Sequence, residues 1–221
     1  MTYLDLVNKV LTYLRRNSVL SVVASDDAFV KMVGMWVQQA AKEVESAWLW
    51  HPLRTSAKVT MQAGIGQYII TDGRYPMKIL SVYNDTKNQP LQRAPSESWI
   101  NLKMTGPLVE GDPLYYAPNG VDDNGDPIIS LWPIPVDTDD IIVNVMIHSK
   151  IALGAVDDDT LATPVPWDLV VEKAKQYALL DRGTLTPQDV VVYDRIYLQN
   201  LQSAIMADSD FYPFETGAEL I

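Results

Sequence analysis

Apolar residues near the start of the chain recur at helical spacing in two successive segments. From Thr2 onward the apolar positions fall three or four residues apart, and Thr2 with Asp5 has the spacing of a capping box. A second segment with this period starts near Ser25 or Asp26 and runs to the cluster Trp48-Leu49-Trp50-His51-Pro52, where the proline stops it. The pattern predicts two amphipathic helices joined by a short polar loop.

From Leu53 onward the period becomes that of β-strands. Ala57, Val59 and Met61 alternate with polar residues, glycines follow, and an apolar run resumes at Tyr68, which predicts a β-hairpin. The same signals predict strands over 77–83, 114–116, 128–132 and 141–151, and a short helix over 96–104. The middle of the chain is therefore expected to be rich in β-structure.

Helical spacing returns in the last third of the chain. Trp167 starts one helix, and Gly183 lies where a C-terminal cap is expected. Thr186 and Pro187, followed by Asp189, form a helix start with a capping hydroxyl and a proline at the first helical position. The predicted inward face of this last helix consists of Val190, Tyr193, Tyr197, Leu201 and Ile205.

These elements predict an α+β fold in which helices from both ends of the chain flank a β-rich middle. We expect a helical bundle formed by residues 1–52 and 163–206, with an antiparallel β-rich domain inserted over 53–151. Residues 207–221 show no helical or strand period and are predicted to form a C-terminal tail.

Composition narrows the classes of function. The chain has no cysteine, which excludes disulfides, thiolate metal sites and thiol nucleophiles. Its formal charge of −11 argues against sequence-specific DNA binding, because phosphates would be repelled. No apolar run has the roughly 18 residues of a membrane helix. The first residues also lack the basic segment followed by an apolar segment that a signal peptide has, so we expect neither export nor membrane insertion.

Few residues suggest catalysis or metal binding. The two histidines, His51 and His148, are predicted to be packed or superficial, because nothing in the sequence brings them together. Asp122, Asn124 and Asp126 alternate as the first ligands of a calcium loop do, but Pro127 follows where that loop needs glycine. A solvated hairpin tip explains this acidic run better, since its Asn-Gly pair is a strong turn signal. No cofactor and no enzymatic activity are predicted.

The six tryptophans leave two interpretations open. Aromatic faces stack on sugar rings, so they could form a glycan-binding surface. Packing in the core or between subunits is favoured, because Trp36 and Trp48 fall on or at the end of a helix, Trp167 starts another, and Trp132 lies between a strand and two prolines.

Several local patterns, taken in order, resemble the phage head-to-tail adaptor family that includes the tail tubular protein A of short-tailed phages. They are Trp48-Leu49-Trp50-His51-Pro52-Leu53, Gln62-Ala63-Gly64-Ile65-Gly66-Gln67-Tyr68, Lys78-Ile79-Leu80-Ser81-Val82-Tyr83, Gly111-Asp112-Pro113-Leu114-Tyr115-Tyr116, Ile129-Ser130-Leu131-Trp132-Pro133-Ile134-Pro135 and Thr163-Pro164. The resemblance depends on the order and spacing of these patterns, which together span nearly the whole chain. Similar proteins often have Leu-Pro where this chain has Ile70-Thr71.

The resemblance implies a structural protein of the virion, located in the tail or neck and assembled in the host cytoplasm. It implies a homo-oligomer, a dodecameric ring, bound to the portal protein above and to a tail or nozzle protein below. Such a ring extends the conduit through which DNA passes, without sequence-specific contacts, during ejection. The alternatives are a carbohydrate-binding or tail-fibre-associated module and, third, a small hydrolase with an acidic pair.

Two segments are candidate partner-binding sites. Phe211, Tyr212 and Phe214 follow the last helix, and aromatic side chains in an aperiodic tail are favoured anchors at protein interfaces. Asp123 and Asn124 lie at the predicted hairpin tip, which we expect to face a tail-side partner because loops on a rigid scaffold commonly carry function.

Overall fold

The computed structural model describes residues 1–70, 77–96, 99 and 109–211. Over these ranges it contains four α-helices and a seven-stranded sheet, which confirms the predicted α+β class. The chain divides into two compact units, one formed by Met1–Leu53 with His148–Ile221 and the other by Arg54–Ile147. Each unit is described separately below as the helical unit and the β unit.

The helices of the helical unit are α1 (Tyr3–Tyr13), α2 (Ala28–Ala47), α3 (Trp167–Asp181) and α4 (Pro187–Phe211). The predicted capping box is confirmed, because the Thr2 hydroxyl accepts from the Asp5 amide and the Asp5 carboxylate accepts from the Thr2 amide. Thr186 caps α4 in the same way through Asp189. None of the described helices is long and apolar enough to cross a membrane.

The apolar stripes of these helices form the core of the helical unit. α2 packs against α1 and α3, and α4 packs against α3. The fully buried residues include Leu6, Val7, Val10, Leu11, Val33, Val37, Ala40, Ala41, Val44, Leu169, Val170, Ala174 and Ala178. Burying each large aliphatic side chain contributes about 1.5–3 kcal/mol, so this stripe holds the helices together.

The β unit is one mixed sheet. Its strands are β1 (Arg54–Thr60), β2 (Gln67–Ile69), β3 (Met77–Asn84), β4 (Gln89–Arg93), β5 (Tyr115–Val121), β6 (Pro127–Trp132) and β7 (Asp140–Ile147), in the order β1-β7-β3-β4-β5-β6-β2. The prediction of an antiparallel domain is wrong at one place, because β4 and β5 pair in parallel. The chain between them is long enough for the crossover that parallel neighbours require.

The predicted hairpin between residues 57–61 and 68–70 is also wrong. β1 pairs with β7 and β2 pairs with β6, so the two strands lie at opposite ends of the strand order. The segment between them is fixed by Tyr68, whose hydroxyl accepts from the Gln62 amide at 3.0 Å and lies 2.6 Å from the Ile65 carbonyl oxygen. The backbone therefore turns away from β1 before β2 begins.

The hairpin predicted from Asn124 and Gly125 is confirmed as β5–β6. Gly125 has φ of +87°, a left-handed conformation that glycine adopts without strain. The helix predicted over 96–104 lies almost wholly outside the described residues. Of that segment, the Ser96 hydroxyl accepts from the Trp99 amide at 3.1 Å.

Candidate functional site

The C-terminal part of α4 is held by the residues that follow α2. The Trp48 indole N–H donates to Asp208 Oδ2 at 3.1 Å, and His51 Nδ1 lies 3.1 Å from the same oxygen. The Asp208 and His51 side chains are mostly buried, which strengthens both contacts. The sequence predicted His51 to be packed or at the surface, but it did not predict the contact with Asp208. No local pattern connects residues so far apart along the chain.

Replacing Asp208 by alanine is expected to destabilise the helical unit by about 1–3 kcal/mol, because the half-buried Trp48 indole and His51 both lose their contact with this carboxylate. Urea unfolding followed by tryptophan fluorescence measures the loss. The Asp208→Asn variant keeps an acceptor for the indole and should lose less. Equal stability of wild type and the alanine variant would show that this contact does not hold α4.

The second histidine also meets a carboxylate. Glu45, near the end of α2, is fully buried, and its Oε2 lies 3.1 Å from His148 Nδ1. Glu45 also accepts from the Ser149 amide at 2.9 Å and from the Ser149 hydroxyl at 2.5 Å. All the polar partners come from the segment that follows β7, so Glu45 fixes that segment on α2. Neither histidine belongs to a catalytic arrangement with the other.

A third polar group joins α2, α3 and α4. Lys173 Nζ lies 3.6 Å from Glu43 and 3.5 Å from Asp194, and it contacts the rings of Tyr177 and Tyr197 at 5.6 and 5.0 Å. The Tyr177 hydroxyl donates to Glu43. Burial raises the pKa of Tyr197 to about 12, and burial together with Glu43 raises the pKa of Tyr177. Both phenols therefore stay neutral at physiological pH, and the group serves to link helices.

In the β unit, Lys87 binds carboxylates from two other loops. Its Nζ pairs with Asp112, and it lies 3.3 Å from both Asp137 and Asp139. Asn84 donates to the buried Asp139 at 3.1 Å. The hydrogen bond to Asp112, with those to the other carboxylates, raises the pKa of Lys87. Because these carboxylates come from different loops, the contacts of Lys87 fasten the loops together.

The predicted hairpin tip carries Asp123 and Asn124 in a tight turn. Asp122 Oδ1 accepts from the Asn124 amide at 2.9 Å and from the Asp126 amide at 2.8 Å. The Asp122 carboxylate is therefore engaged by backbone donors of its own turn. Across the ranges that the structure describes, no group of three or more His, Cys, Asp or Glu is placed to hold a metal ion. The role of Asp123 and Asn124 in partner binding remains a prediction.

The aromatic residues predicted in the tail lie at the limit of the described chain. α4 ends at Phe211, and Tyr212 and Phe214 fall outside the described residues. The contacts of Asp208 with Trp48 and His51 hold the last turn of α4, directly before these residues in the sequence. Partner binding by the three aromatic residues stays a prediction.

The tryptophans pack in several separate places. Trp50 is buried in the helical unit, and Trp36 meets Phe29 edge to face at 6.2 Å. In the β unit, Trp99 meets Tyr115 at 5.2 Å and Trp132 at 5.3 Å, both in T-shaped geometry. Trp36, Trp99 and Trp132 are half-buried and pack edge to face against neighbouring aromatic rings, a geometry that aromatic pairs favour.

Comparison with known proteins gives one family. The family model described as SU10 adaptor protein matches residues 1–210, a range that begins before α1, includes the whole β unit and ends in the last turn of α4. A search of the curated proteins finds no match.

Proposed function

Because the chain belongs to the SU10 adaptor protein family, we propose that it is a structural head-to-tail adaptor in the virion of a tailed phage. The single observation that carries this proposal is the length of the family match, which extends from the first residue to residue 210, in the last turn of α4. The polar clusters support it, because Asp208, Glu45, Lys173 and Lys87 all fasten structural elements together. The proposed role is therefore structural and non-enzymatic, as the family suggests.

The finer proposal is a ring, a dodecamer on the resemblance to tail tubular protein A, placed between the portal and a tail or nozzle protein. Subunits made in the host cytoplasm join this neck, and the ring extends the DNA conduit. The net charge of −11 supports a conduit role, because carboxylates facing DNA repel phosphates and prevent adhesion during ejection. The same charge would also keep the free subunit soluble.

Two contacts are proposed within this assembly. The tail aromatics Phe211, Tyr212 and Phe214 bind the portal or the neighbouring subunit. Asp123 and Asn124 at the β5–β6 tip contact the tail-side partner. Both proposals rest on position and residue type. The aromatic residues follow the turn of α4 that Asp208 ties to Trp48, and the tip is a tight turn between two paired strands.

The function is tested by combining the purified chain with the portal protein of the same phage. Light scattering and negative-stain electron microscopy should show a closed ring of the chain on the portal. Removing residues 212–221 should leave a soluble, normally melting subunit that no longer joins the portal. The matched control, Asp123→Ser with Asn124→Ser, should join the portal normally and weaken tail attachment. A wild-type chain that stays monomeric beside its portal would contradict the adaptor function.

A further inference from the structure

The two terminal strands of the sheet differ in length. In the described part of the chain, β1 pairs only with β7 and β2 pairs only with β6, so each has one edge without a strand neighbour. β2 has three residues, and a very short edge strand is one way in which proteins prevent unwanted pairing. β1 has seven residues, so its free edge is long enough to bind another strand.

The direction of the backbone groups along β1 follows from its register with β7. The Met61 amide, directly after β1, donates to the Asp139 carbonyl oxygen at 2.7 Å, and residues that exchange such bonds alternate along an antiparallel pair. Counting back from Met61, the N–H and C=O groups of Ser56, Lys58 and Thr60 point away from β7. All three residues are exposed, and no other described strand pairs with them.

β1 lacks the features that usually protect an edge strand. Such strands are commonly blunted by a proline, by a bulge or by a lysine that projects over the edge. The strand Arg54–Thr60 contains no proline, and it pairs with β7 through seven successive residue pairs without a bulge. Lys58 Nζ lies 2.8 Å from Asp140 Oδ2 of β7, so its ammonium group is held on the neighbouring strand.

The side chains two residues before and after Lys58 are also held on β7. Ser56 Oγ donates to Asn144 Oδ1 at 2.7 Å, and Thr60 Oγ1 donates to Asp140 Oδ1 at 2.7 Å. Each contact directs a polar side chain toward β7 and away from the free edge. The backbone of β1 is therefore open to hydrogen bonding by another chain.

The side chains of β1 indicate what kind of strand fits this edge. Ala57 and Val59 pack against the apolar core of the β unit but are only partly buried. Because side chains alternate along a strand, Ser56, Lys58 and Thr60 lie on the opposite, polar face. A strand added at this edge would place alternate residues beside Ala57 and Val59, where apolar side chains would extend the cover of the core. A fitting partner segment is therefore extended and alternates apolar and polar residues.

We propose that the free edge of β1 binds an extended segment of the tail-side partner by strand addition. In this mode the main-chain hydrogen bonds give affinity, and pockets for alternate side chains give specificity. The inference rests on the proposed function, since it names a contact by which the β unit, which also carries Asp123 and Asn124, holds that neighbour.

A second copy of the chain fits this edge less well. An antiparallel pair of β1 edges centred on Lys58 would place two ammonium groups side by side, and like charges directly opposite each other destabilise strand pairs. The other free strand, β2, offers only three residues for pairing. A longer segment from a different protein would use the whole edge.

A proline substitution tests this edge without removing a β1–β7 hydrogen bond. Lys58→Pro removes an amide that faces away from β7, so the thermal melting of the chain should change little. Its ring blocks the approach of another strand, so affinity for the purified tail-side partner of the same phage should fall about tenfold or more. Surface plasmon resonance measures this affinity for the chain alone and assembled on the portal.

Two matched variants identify the cause of the weaker binding. Lys58→Ala removes the ammonium group but keeps the edge amide, and it should bind within about twofold of wild type, because an exposed ion pair contributes little. Ala57→Pro removes an amide that faces β7, so it should lower the melting temperature, whereas Lys58→Pro should not.

Amide hydrogen exchange provides a readout that needs no substitution. In the free chain the amides of Ser56, Lys58 and Thr60 should exchange fast, whereas those of Ala57 and Val59 should exchange slowly, because only the latter bond to β7. Adding the tail-side partner should slow exchange at Ser56, Lys58 and Thr60. Mass spectrometry at residue resolution follows both states.

The outcomes separate strand addition from the adaptor function. A tail-side partner that binds Lys58→Pro like wild type and leaves exchange at the β1 edge unchanged would overturn strand addition and leave the adaptor function standing. Protection of these amides in the chain alone, increasing with its concentration, would show that a second copy covers the edge and would also overturn the inference. A chain that binds neither the portal nor the tail-side partner would contradict both.

Discussion

Replacing Glu45 by alanine is expected to destabilise the helical unit by about 3–5 kcal/mol. The carboxylate is fully buried and accepts two hydrogen bonds from Ser149 while pairing with His148. Glu45 lies in the last turn of α2, where the helix dipole disfavours a negative charge, so these partners compensate for both burial and the dipole. With alanine at this position, the His148 ring, the Ser149 amide and the Ser149 hydroxyl would lose their acceptor, and a cavity would remain in place of the side chain.

Two variants identify the source of this loss. Glu45→Gln keeps the volume and one acceptor oxygen and should destabilise less than alanine, whereas Ser149→Ala removes a single side-chain donor and should have the smallest effect. Urea unfolding of all three gives the order. A Glu45→Ala variant as stable as Ser149→Ala would show that the buried carboxylate contributes no more than one ordinary hydrogen bond.

Replacing Trp50 by alanine should also cost about 3–5 kcal/mol. The indole is 1% exposed, so removing it opens a large cavity in the helical unit. Its Nε1 donates to the Val44 carbonyl oxygen at 2.7 Å. The last four carbonyl groups of a helix have no partner within it, and Val44 is one of these four in α2, so the indole closes the helix end as well as filling the core.

Trp50→Phe separates packing from helix capping. Phenylalanine keeps most of the apolar volume but cannot donate, so about 1–3 kcal/mol should be lost through the unsatisfied carbonyl. Chemical unfolding measures both variants, and helix content by circular dichroism reports on α2. Equal losses for phenylalanine and alanine would mean that the hydrogen bond, rather than the packed ring, accounts for the effect.

The sequence predicts the helices well because their signals are local. The capping residues Thr2 and Thr186 and the cap glycine Gly183 act on neighbours within a few positions, and each is confirmed by the structure. The β5–β6 hairpin is predicted for the same reason, because its turn residues determine which strands meet. The alternation of apolar and polar residues predicts that β1 and β2 are strands, but it does not predict which strands they pair with. The predicted hairpin over residues 57–70 is therefore wrong.

The polar clusters could not be predicted, because their members are far apart along the chain. Asp208 meets Trp48 and His51 only when α4 has packed in the helical unit, and Glu45 meets His148 only when the segment after β7 lies against α2. The local pattern of residue types does not indicate which distant residues will contact each other in the folded chain.

The discontinuous helical unit has a consequence for synthesis on the ribosome. α1 and α2 emerge first, but their main packing partner α3 is translated only after the whole β unit. At about 5–20 residues per second, their apolar faces wait on the order of 10 s for α3, whereas the contiguous β unit can fold as it appears. Chains truncated before Trp167 and released from the ribosome should therefore expose α1 and α2 to chaperones and proteases, while the β unit resists digestion.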